Sequence, residues 1–149
     1  MDDRILYVDN RVKYVVSHRI PWLEGAREAG FDVHVTTLTA GEGARIEEAG
    51  FPYHAISDTT RSNNPLHELQ LIARLYALYR RLQPDIVHHI TLRSILYGGI
   101  VSLLVRDPAI VNGVEGHGEL VTDDAPRSRG ARTLVLGGAS DLRRGRRAA

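Results

Sequence analysis

Short apolar runs alternate with longer amphipathic stretches along the first 111 residues of the chain. The short runs predict strands, at 4–8, 32–37, 52–56, 85–88 and 109–111. Stretches with apolar residues three or four positions apart predict helices, at 17–29, 42–49, 65–82 and 92–105. This alternation predicts an α/β fold with a Rossmann-like, doubly wound and mostly parallel sheet. Right-handed crossovers favour the strand order 3-2-1-4-5, with a ligand crevice beside strands one and four.

Residues that cap or end helices lie at the expected places between these elements. Gly30 and Gly50 each follow a predicted helix within an Ala-Gly-Phe sequence, and glycine suits the left-handed position that ends a helix. Asn64 can cap the longest helix. Ser17 is predicted to cap the first helix, which would leave Pro21 near its first turn, where proline is tolerated.

The composition is that of an ordinary globular protein. The chain has 149 residues, of which 43% are hydrophobic and 25% are charged, enough for one domain with an apolar core. It has no cysteine, which excludes a disulfide framework and a thiolate metal site and fits a cytoplasmic protein. The longest apolar run, 95–105, is too short to span a bilayer, and the charged N-terminus lacks a signal-peptide pattern.

The charge is distributed unevenly, although the net charge is only +1. Residues 123–149 carry seven arginines against three aspartates, which leaves the rest of the chain with a net charge of −3. A basic tail can bind nucleic acid or an anionic membrane, but the favoured interpretation is a solvated end without a nucleic-acid partner. The helical and strand periodicity also fades after Leu120.

Four motifs, at 17–21 (SHRIP), 84–89 (PDIVHH), 91–93 (TLR) and 97–99 (YGG), resemble in order and spacing the N-terminal domain of a family 4-type glycosyltransferase. The resemblance covers about residues 4–125 and is greatest to bacterial enzymes that extend lipid-linked or surface polysaccharides. It implies one half of a GT-B enzyme, a fold with two Rossmann-like domains. The Glu-x7-Glu element of the donor domain is missing between residues 120 and 149. We therefore expect a Rossmann-like acceptor-side domain at 1–122 and an irregular tail at 123–149 that results from truncation or a frameshift.

Polar side chains follow strands one and four, where the crevice is predicted. Asn10 comes directly after strand one, although it is equally consistent with a simple turn. His88, Thr91 and Arg93 lie at the end of strand four and the start of the next helix, and Arg93 is equally consistent with a surface charge. Because successive strand side chains point to opposite faces, only one of His88 and His89 can face the crevice, and two adjacent histidines do not make a metal site.

Two further groups of residues are candidate contacts for substrate phosphates. His18 and Arg19 lie at the predicted N-terminus of the first helix, whose dipole favours an acceptor phosphate, although His18 is equally consistent with a local hydrogen bond. Arg61, in the loop after strand three, could bind a phosphate bidentately, but a solvated charge is the favoured interpretation.

The loop after strand five has the sequence Glu115-Gly116-His117-Gly118. Gly116 and Gly118 permit a tight turn whose backbone N–H groups could bind a phosphate or a sugar oxygen. The resemblance implies that His117 touches the donor sugar and is the candidate catalytic residue. The loop matches the Ser-Gly-Leu-Gly-like turn of relatives only in its glycines.

These observations predict the acceptor-binding half of a glycosyltransferase that moves a sugar from a nucleotide-sugar donor to a glycan or lipid-linked acceptor. Without a donor domain the chain alone is expected to be inactive. A non-catalytic Rossmann-like binding module, or half of a GT-B sugar-nucleotide 2-epimerase, remains an alternative. No cofactor is expected, and a dehydrogenase is disfavoured because no Gly-x-Gly-x-x-Gly follows strand one.

A lipid-linked acceptor would bring the domain to the inner face of the cell membrane. The helix at 65–82 has an apolar stripe with Arg74, Arg80 and Arg81 beside it, and basic residues near an anionic bilayer each contribute about 1 kcal/mol. We therefore expect salt-sensitive peripheral binding that largely survives deletion of residues 123–149.

Overall fold

A computed structural model describes residues 2–60, 62–105 and 108–114, and residues 1–113 form one compact unit. Five parallel strands form one sheet in the order β3-β2-β1-β4-β5, which confirms the predicted α/β fold and strand order. The strands are β1 (Arg4–Asp9), β2 (Asp32–Thr37), β3 (Tyr53–Ala55), β4 (Ile86–Ile90) and β5 (Ala109–Gly113). The helices are α1 (Val12–Tyr14), a π-helical turn (Val15–Arg19), α2 (Ile20–Glu28), α3 (Ala44–Glu48), α4 (Pro65–Leu82) and α5 (Leu92–Ser102). The predicted boundary at residue 122 lies outside the described residues and stays a prediction.

The central strand β1 divides the apolar core into two layers. Leu6 and Val8 pack with α4 and α5 on one face of the sheet, whereas Ile5 and Tyr7 pack with α1, α2 and α3 on the other. β1 pairs with β2 on one side and β4 on the other, so the carboxyl ends of the strands meet at one edge. That edge is where an open parallel sheet of this kind binds ligands.

The first helical segment begins earlier than the sequence predicted. Helix begins at Val12, and the Ser17 hydroxyl donates a hydrogen bond to the Lys13 carbonyl (2.8 Å) instead of capping a helix. The π-helical turn directly precedes α2, whose second residue is Pro21. Because proline has no N–H to donate, the regular α-helical hydrogen bond at that position is absent. His18 and Arg19 therefore do not lie at a helix N-terminus, and the dipole argument for a phosphate there was wrong.

The predicted glycine ends and the Asn64 cap are confirmed, whereas α5 ends at Ser102 instead of the predicted 105. Gly30 and Gly50 have φ of 95° and 88°, the left-handed region that glycine adopts most readily. The Asn64 side chain accepts a hydrogen bond from the Leu66 N–H (3.0 Å) and thereby caps the first turn of α4, as predicted. Among the described residues, no helix is both long enough and apolar enough to cross a bilayer.

Candidate functional site

A cleft of about 290 Å³ opens at the carboxyl edge of the sheet, and we call it the strand-end cleft. Its walls come from the loops after β1, β2 and β3 and from the first turns of α4 and α5. The lining residues are Asn10, Arg11, Thr39, Thr60, Ser62, Glu68, Arg93 and Tyr97. Side chains from distant parts of the sequence meet here because every parallel strand ends at this edge.

Arg93 joins both sides of the strand-end cleft. Its Nη1 donates to Asn10 Oδ1 (3.3 Å), and its Nη2 donates to Glu68 Oε2 (2.7 Å) and Oε1 (3.0 Å). The Tyr97 hydroxyl also donates to Glu68 Oε2, and the Arg93 guanidinium lies 5.3 Å from the centre of the Tyr97 ring. These four residues, Asn10, Glu68, Arg93 and Tyr97, form what we call the cleft cluster.

The cleft cluster fixes the charge of its members. Burial alone would raise the pKa of Glu68, but hydrogen bonds from Arg93 and Tyr97 outweigh it, so the pKa lies below its usual value and the carboxylate is ionised at neutral pH. Burial and the hydrogen bond to Glu68 raise the pKa of Tyr97, whose hydroxyl therefore keeps its proton. Burial disfavours the charge of Arg93, but the hydrogen bonds and charge interactions with Glu68 and Tyr97 together outweigh this effect and raise the pKa of the guanidinium.

Thr91 has a strained backbone at the junction between β4 and α5. Its φ of 89° and ψ of 151° belong to a region that residues with a branched Cβ rarely enter, at a cost of about 1–3 kcal/mol. The conformation is held by the Thr91 N–H, which donates to the Gly113 carbonyl (3.1 Å), and by a hydrogen bond between the Thr91 and Ser94 hydroxyls (3.1 Å). Such strain is typical of functional sites, and here it lies two residues before Arg93.

A buried ion pair supports the loop that carries Asn10. Asp9 Oδ1 accepts the Asn10 N–H (2.6 Å), and Asp9 Oδ2 accepts Arg19 Nε (3.3 Å). Both side chains are buried, and the guanidinium of Arg19 lies 4.6 Å from the centre of the Trp22 ring. Burial raises the pKa of Asp9, although the Asn10 amide and Arg19 oppose that shift. Arg19 is thus placed beneath the loop, outside the cleft lining.

The two histidines at the end of β4 face opposite sides of the sheet, as the alternation predicted. His88 stacks on Trp22 (6.1 Å between ring centres, 6° between planes) and packs beside Tyr7, on the face covered by α2. His89 is buried on the face covered by α4 and α5. His18 is exposed and contacts the Ser17 hydroxyl.

His89 belongs to a hydrogen-bonded chain with Tyr79 and Asn112, which we call the histidine network. The Tyr79 hydroxyl lies 2.8 Å from His89 Nε2, and His89 Nδ1 lies 3.0 Å from Asn112 Oδ1. Burial lowers the pKa of His89 more than Asn112 raises it, so the ring is neutral. A tautomer with the proton on Nδ1 completes the hydrogen bonds of the ring, because Nδ1–H donates to Asn112 Oδ1 and Nε2 accepts from the Tyr79 hydroxyl.

The structure thus brings Asn10, Thr91 and Arg93 to the carboxyl edge, as the sequence predicted, and Asn10 and Arg93 line the strand-end cleft. His18, Arg19 and His88 are not among its lining residues. The substrate roles of all of these residues stay predictions. The remaining candidates lie outside the described residues: Arg61, Gly116, His117 and Gly118. The described residues contain no group of three or more acidic or histidine side chains that could hold a metal ion.

Sequence reasoning assigned no role to Glu68 or Tyr97. Glu68 lies in the first turn after the Asn64 cap, and a helix that begins at the carboxyl edge of the sheet presents its first turn to the crevice. Tyr97 belongs to one of the four motifs at 97–99. These two signals were present, but the contact between the residues depends on how α4 packs against α5.

Comparison with solved structures gives the same fold at low sequence identity. The chain is similar to the glycotransferase of kitacinnamycin (TM-score 0.58, 11% identity, 75% of this chain and 31% of that chain). It is also similar to MurG of Acinetobacter baumannii (TM-score 0.58, 16% identity, 74% of this chain and 35% of that chain). A third similar structure is the calicheamicin glycosyltransferase CalG4 (TM-score 0.53, 11% identity, 92% of this chain and 42% of that chain). The chain therefore spans less than half the length of each of these structures.

Sequence comparisons give a family. Curated protein sequences give no match. The sequence pattern described as Glycosyl transferase 4-like matches residues 4–138, which is most of the chain. The predicted resemblance to family 4-type glycosyltransferases is thereby confirmed, and the chain belongs to the glycosyl transferase 4-like family.

Proposed function

We propose that this chain is the acceptor-binding half of a glycosyltransferase, which moves a sugar from a nucleotide-sugar donor to a glycan or lipid-linked acceptor. Family membership supports glycosyl transfer. The observation that carries the acceptor role is the cleft cluster: an open, hydrogen-bonding constellation at the carboxyl edge of the sheet, beside the strained Thr91.

Glycosyl transfer places two demands on a protein. The acceptor hydroxyl must be held against the anomeric carbon of the donor sugar, and the charge that develops on the leaving nucleoside diphosphate must be stabilised. In our proposal the strand-end cleft meets the first demand, because Asn10, Glu68 and Arg93 fix polar atoms around an open space. The second demand falls on donor-binding residues, with His117 touching the donor sugar and Gly116 and Gly118 binding its oxygens.

The location of acceptor binding tests this proposal. We would titrate the isotope-labelled 149-residue chain with methyl glycosides and sugar phosphates and follow the backbone amides by NMR. The expected result is that sugars shift the amides of Asn10, Thr91 and Arg93. Shifts confined to the opposite edge of the sheet, around Arg27 and Pro52, would overturn it. Transfer from a nucleotide sugar by this chain alone would contradict the half-enzyme proposal.

We also propose a membrane contact, but on α5 and not on α4, where the sequence predicted it. The predicted apolar stripe of α4 packs into the core, where Leu71, Leu75 and Leu78 are buried. The exposed apolar side chains instead follow one face of α5 and the first turn of α4: Leu92, Leu96, Ile100, Leu103, Leu66 and Leu69. Leu92 and Leu96 directly precede Arg93 and Tyr97, which line the strand-end cleft, so a lipid-linked acceptor could stay in the bilayer while its sugar reaches the cleft.

Sedimentation with anionic liposomes checks the membrane contact. Binding at low salt is expected to weaken when Leu96 and Leu103 are replaced together by serine, and to survive deletion of residues 123–149. Replacing Arg45 and Glu48, exposed on α3, by serine provides a charge-balanced control. Binding that disappears with the tail would instead assign the attraction to its arginines.

A further inference from the structure

Building on the proposed function, we infer that the strand-end cleft recognises one neutral, hydroxyl-bearing sugar ring of the acceptor and not its phosphate, and that Glu68 is the residue that positions this ring. The inference rests on two features of the cleft cluster: the charge of its arginine is already compensated, and its remaining hydrogen-bonding capacity includes both donors and acceptors.

Arg93 is poorly placed to bind a phosphate. Its Nη2 is held by both oxygens of Glu68 at 2.7 and 3.0 Å, and its Nη1 is directed to Asn10. Both partners of this ion pair are largely withdrawn from water, with 29% and 23% of their side chains exposed, so their attraction is only partly screened. A phosphate that approached Arg93 would meet the Glu68 carboxylate at close range. Arg11 adds a positive charge at the rim, but it is exposed, where water weakens such attractions.

The spare hydrogen-bonding capacity of the cleft is of both kinds. Among the described residues, the Asn10 side-chain NH₂ has no partner, and the Ser62 hydroxyl accepts from the Asn64 N–H (3.1 Å) but keeps its own proton for donation. On the accepting side, Glu68 Oε1 receives one hydrogen bond, from Arg93 at 3.0 Å, and His67 Nδ1 lies 3.8 Å from it. Thr39 Oγ1 donates to the Asn10 carbonyl (2.7 Å) but retains its lone pairs.

A sugar hydroxyl donates one hydrogen bond and accepts others, whereas a fully ionised phosphate only accepts. Donors on Asn10 and Ser62 beside acceptors on Glu68 and Thr39 therefore match adjacent hydroxyls of a sugar ring. A hydrogen bond to a charged group is worth about 1.5–3 kcal/mol, so the Glu68 carboxylate is the largest single contributor. The volume of about 290 Å³ is near the lower limit of ligand pockets, about 300 Å³, which fits one ring.

Glu68→Gln is the decisive variant. Glutamine keeps the shape and one oxygen but loses the charge, and Glu48→Gln on the exposed surface of α3 is the matched control. The ligands are a panel of methyl glycosides, the corresponding sugar phosphates and inorganic phosphate, each titrated into the 149-residue chain with NMR detection. Amide spectra of the free variants that superimpose on wild type away from residue 68 establish that the fold is kept.

We expect at least one methyl glycoside to shift the amides of Asn10 and Arg93, with about tenfold or greater weakening in Glu68→Gln and none in Glu48→Gln. Inorganic phosphate should leave these amides unchanged. Phosphate that binds the cleft more tightly than the glycosides, and that binds better still in Glu68→Gln, overturns the inference but leaves the acceptor role intact. Glycosides that bind only elsewhere on the chain overturn the proposed function and this inference together.

Discussion

The histidine network and the cleft cluster each take one residue from helix α4, yet they differ in how many of their hydrogen bonds are complete. In the histidine network, both ring nitrogens of the fully buried His89 and the hydroxyl of the buried Tyr79 are paired, although Asn112 itself is exposed. In the cleft cluster, Glu68 and Asn10 keep unused hydrogen-bonding capacity next to an open space. Polar residues alone thus do not indicate a site. What distinguishes a binding surface from a structural network is whether its hydrogen bonds are already complete.

Substitutions at the histidine network should destabilise the fold more than substitutions at the cleft cluster. The largest difference is expected between two adjacent glycines of α5. A Cβ on Gly98 would overlap the imidazole of the fully buried His89, whereas a Cβ on Gly99 would meet no described residue within 4 Å. Gly98→Ala is expected to lower the free energy of unfolding by about 1–3 kcal/mol or more. Gly99→Ala should raise it by up to about 1 kcal/mol, because alanine favours helix.

Urea denaturation of the two glycine variants measures this difference directly. Equal stability of Gly98→Ala and Gly99→Ala would mean that His89 can move aside. It would contradict the distinction between the complete hydrogen bonds of His89 and the incomplete ones of the cleft cluster.

Removing a single hydroxyl from the histidine network should lower the free energy of unfolding by less than the steric overlap in Gly98→Ala. Tyr79→Phe leaves His89 Nε2 buried without a donor, at a cost of about 1–3 kcal/mol. Tyr76→Phe is the matched control, since the Tyr76 hydroxyl only accepts an exposed hydrogen bond from Arg80 (3.3 Å). Thermal or urea unfolding of both variants decides the point, and a Tyr79→Phe protein as stable as Tyr76→Phe would show that water replaces the hydroxyl.

The sequence alone predicted the fold well because periodicity reports which side of each element is buried. The alternation of helices and strands led to the observed strand order, and the cap of Asn64 and the glycine ends at Gly30 and Gly50 were found in place. The start of the first helix was missed, although the apolar spacing continues back through Val12 and Val15. The π-helical turn that joins these residues to α2 leaves no mark of its own in that pattern.

The candidate site was predictable only in part. Asn10, Thr91 and Arg93 follow strands, so topology alone brings them to one edge. Glu68 and Tyr97 depend on the packing of α4 against α5, which sequence spacing does not specify. The strain at Thr91 was equally invisible, because it is imposed by hydrogen bonds to residues as distant as Gly113.

Acid should weaken the fold through its buried histidines before it affects the cleft carboxylate. Burial lowers the pKa of His89 and of His54, so the folded protein binds these protons less readily than the unfolded chain. Their contribution to stability is complete above the unfolded value of about 6.5 and is lost as pH falls towards the lowered values. Glu68, whose pKa is also lowered, contributes in the same direction only near pH 4.

Two measurements check the pH dependence. The urea midpoint is expected to fall between pH 7 and pH 5.5, and the ring nitrogen shifts of His89 should remain those of a neutral Nδ1–H tautomer below pH 6.5. A His89 ring that titrates like free histidine would show that the histidine network is open to water.

Thr91 offers the smallest and most specific test, on the side of the cleft cluster. Its conformation costs about 1–3 kcal/mol, and glycine can adopt it without that strain. Thr91→Gly loses the hydrogen bond to Ser94 and gains disorder in the unfolded chain, so its stability should lie within about 1 kcal/mol of wild type. Thr91→Ala loses the same hydrogen bond but keeps the strain. The Thr91→Gly variant is therefore expected to be the more stable of the two by about 1 kcal/mol, the reverse of the usual order of these residues.

If the strain serves to position Arg93, Thr91→Gly should also bind methyl glycosides more weakly than Thr91→Ala. An alanine variant that is the more stable one would show that the backbone at Thr91 carries no strain for the cleft to use.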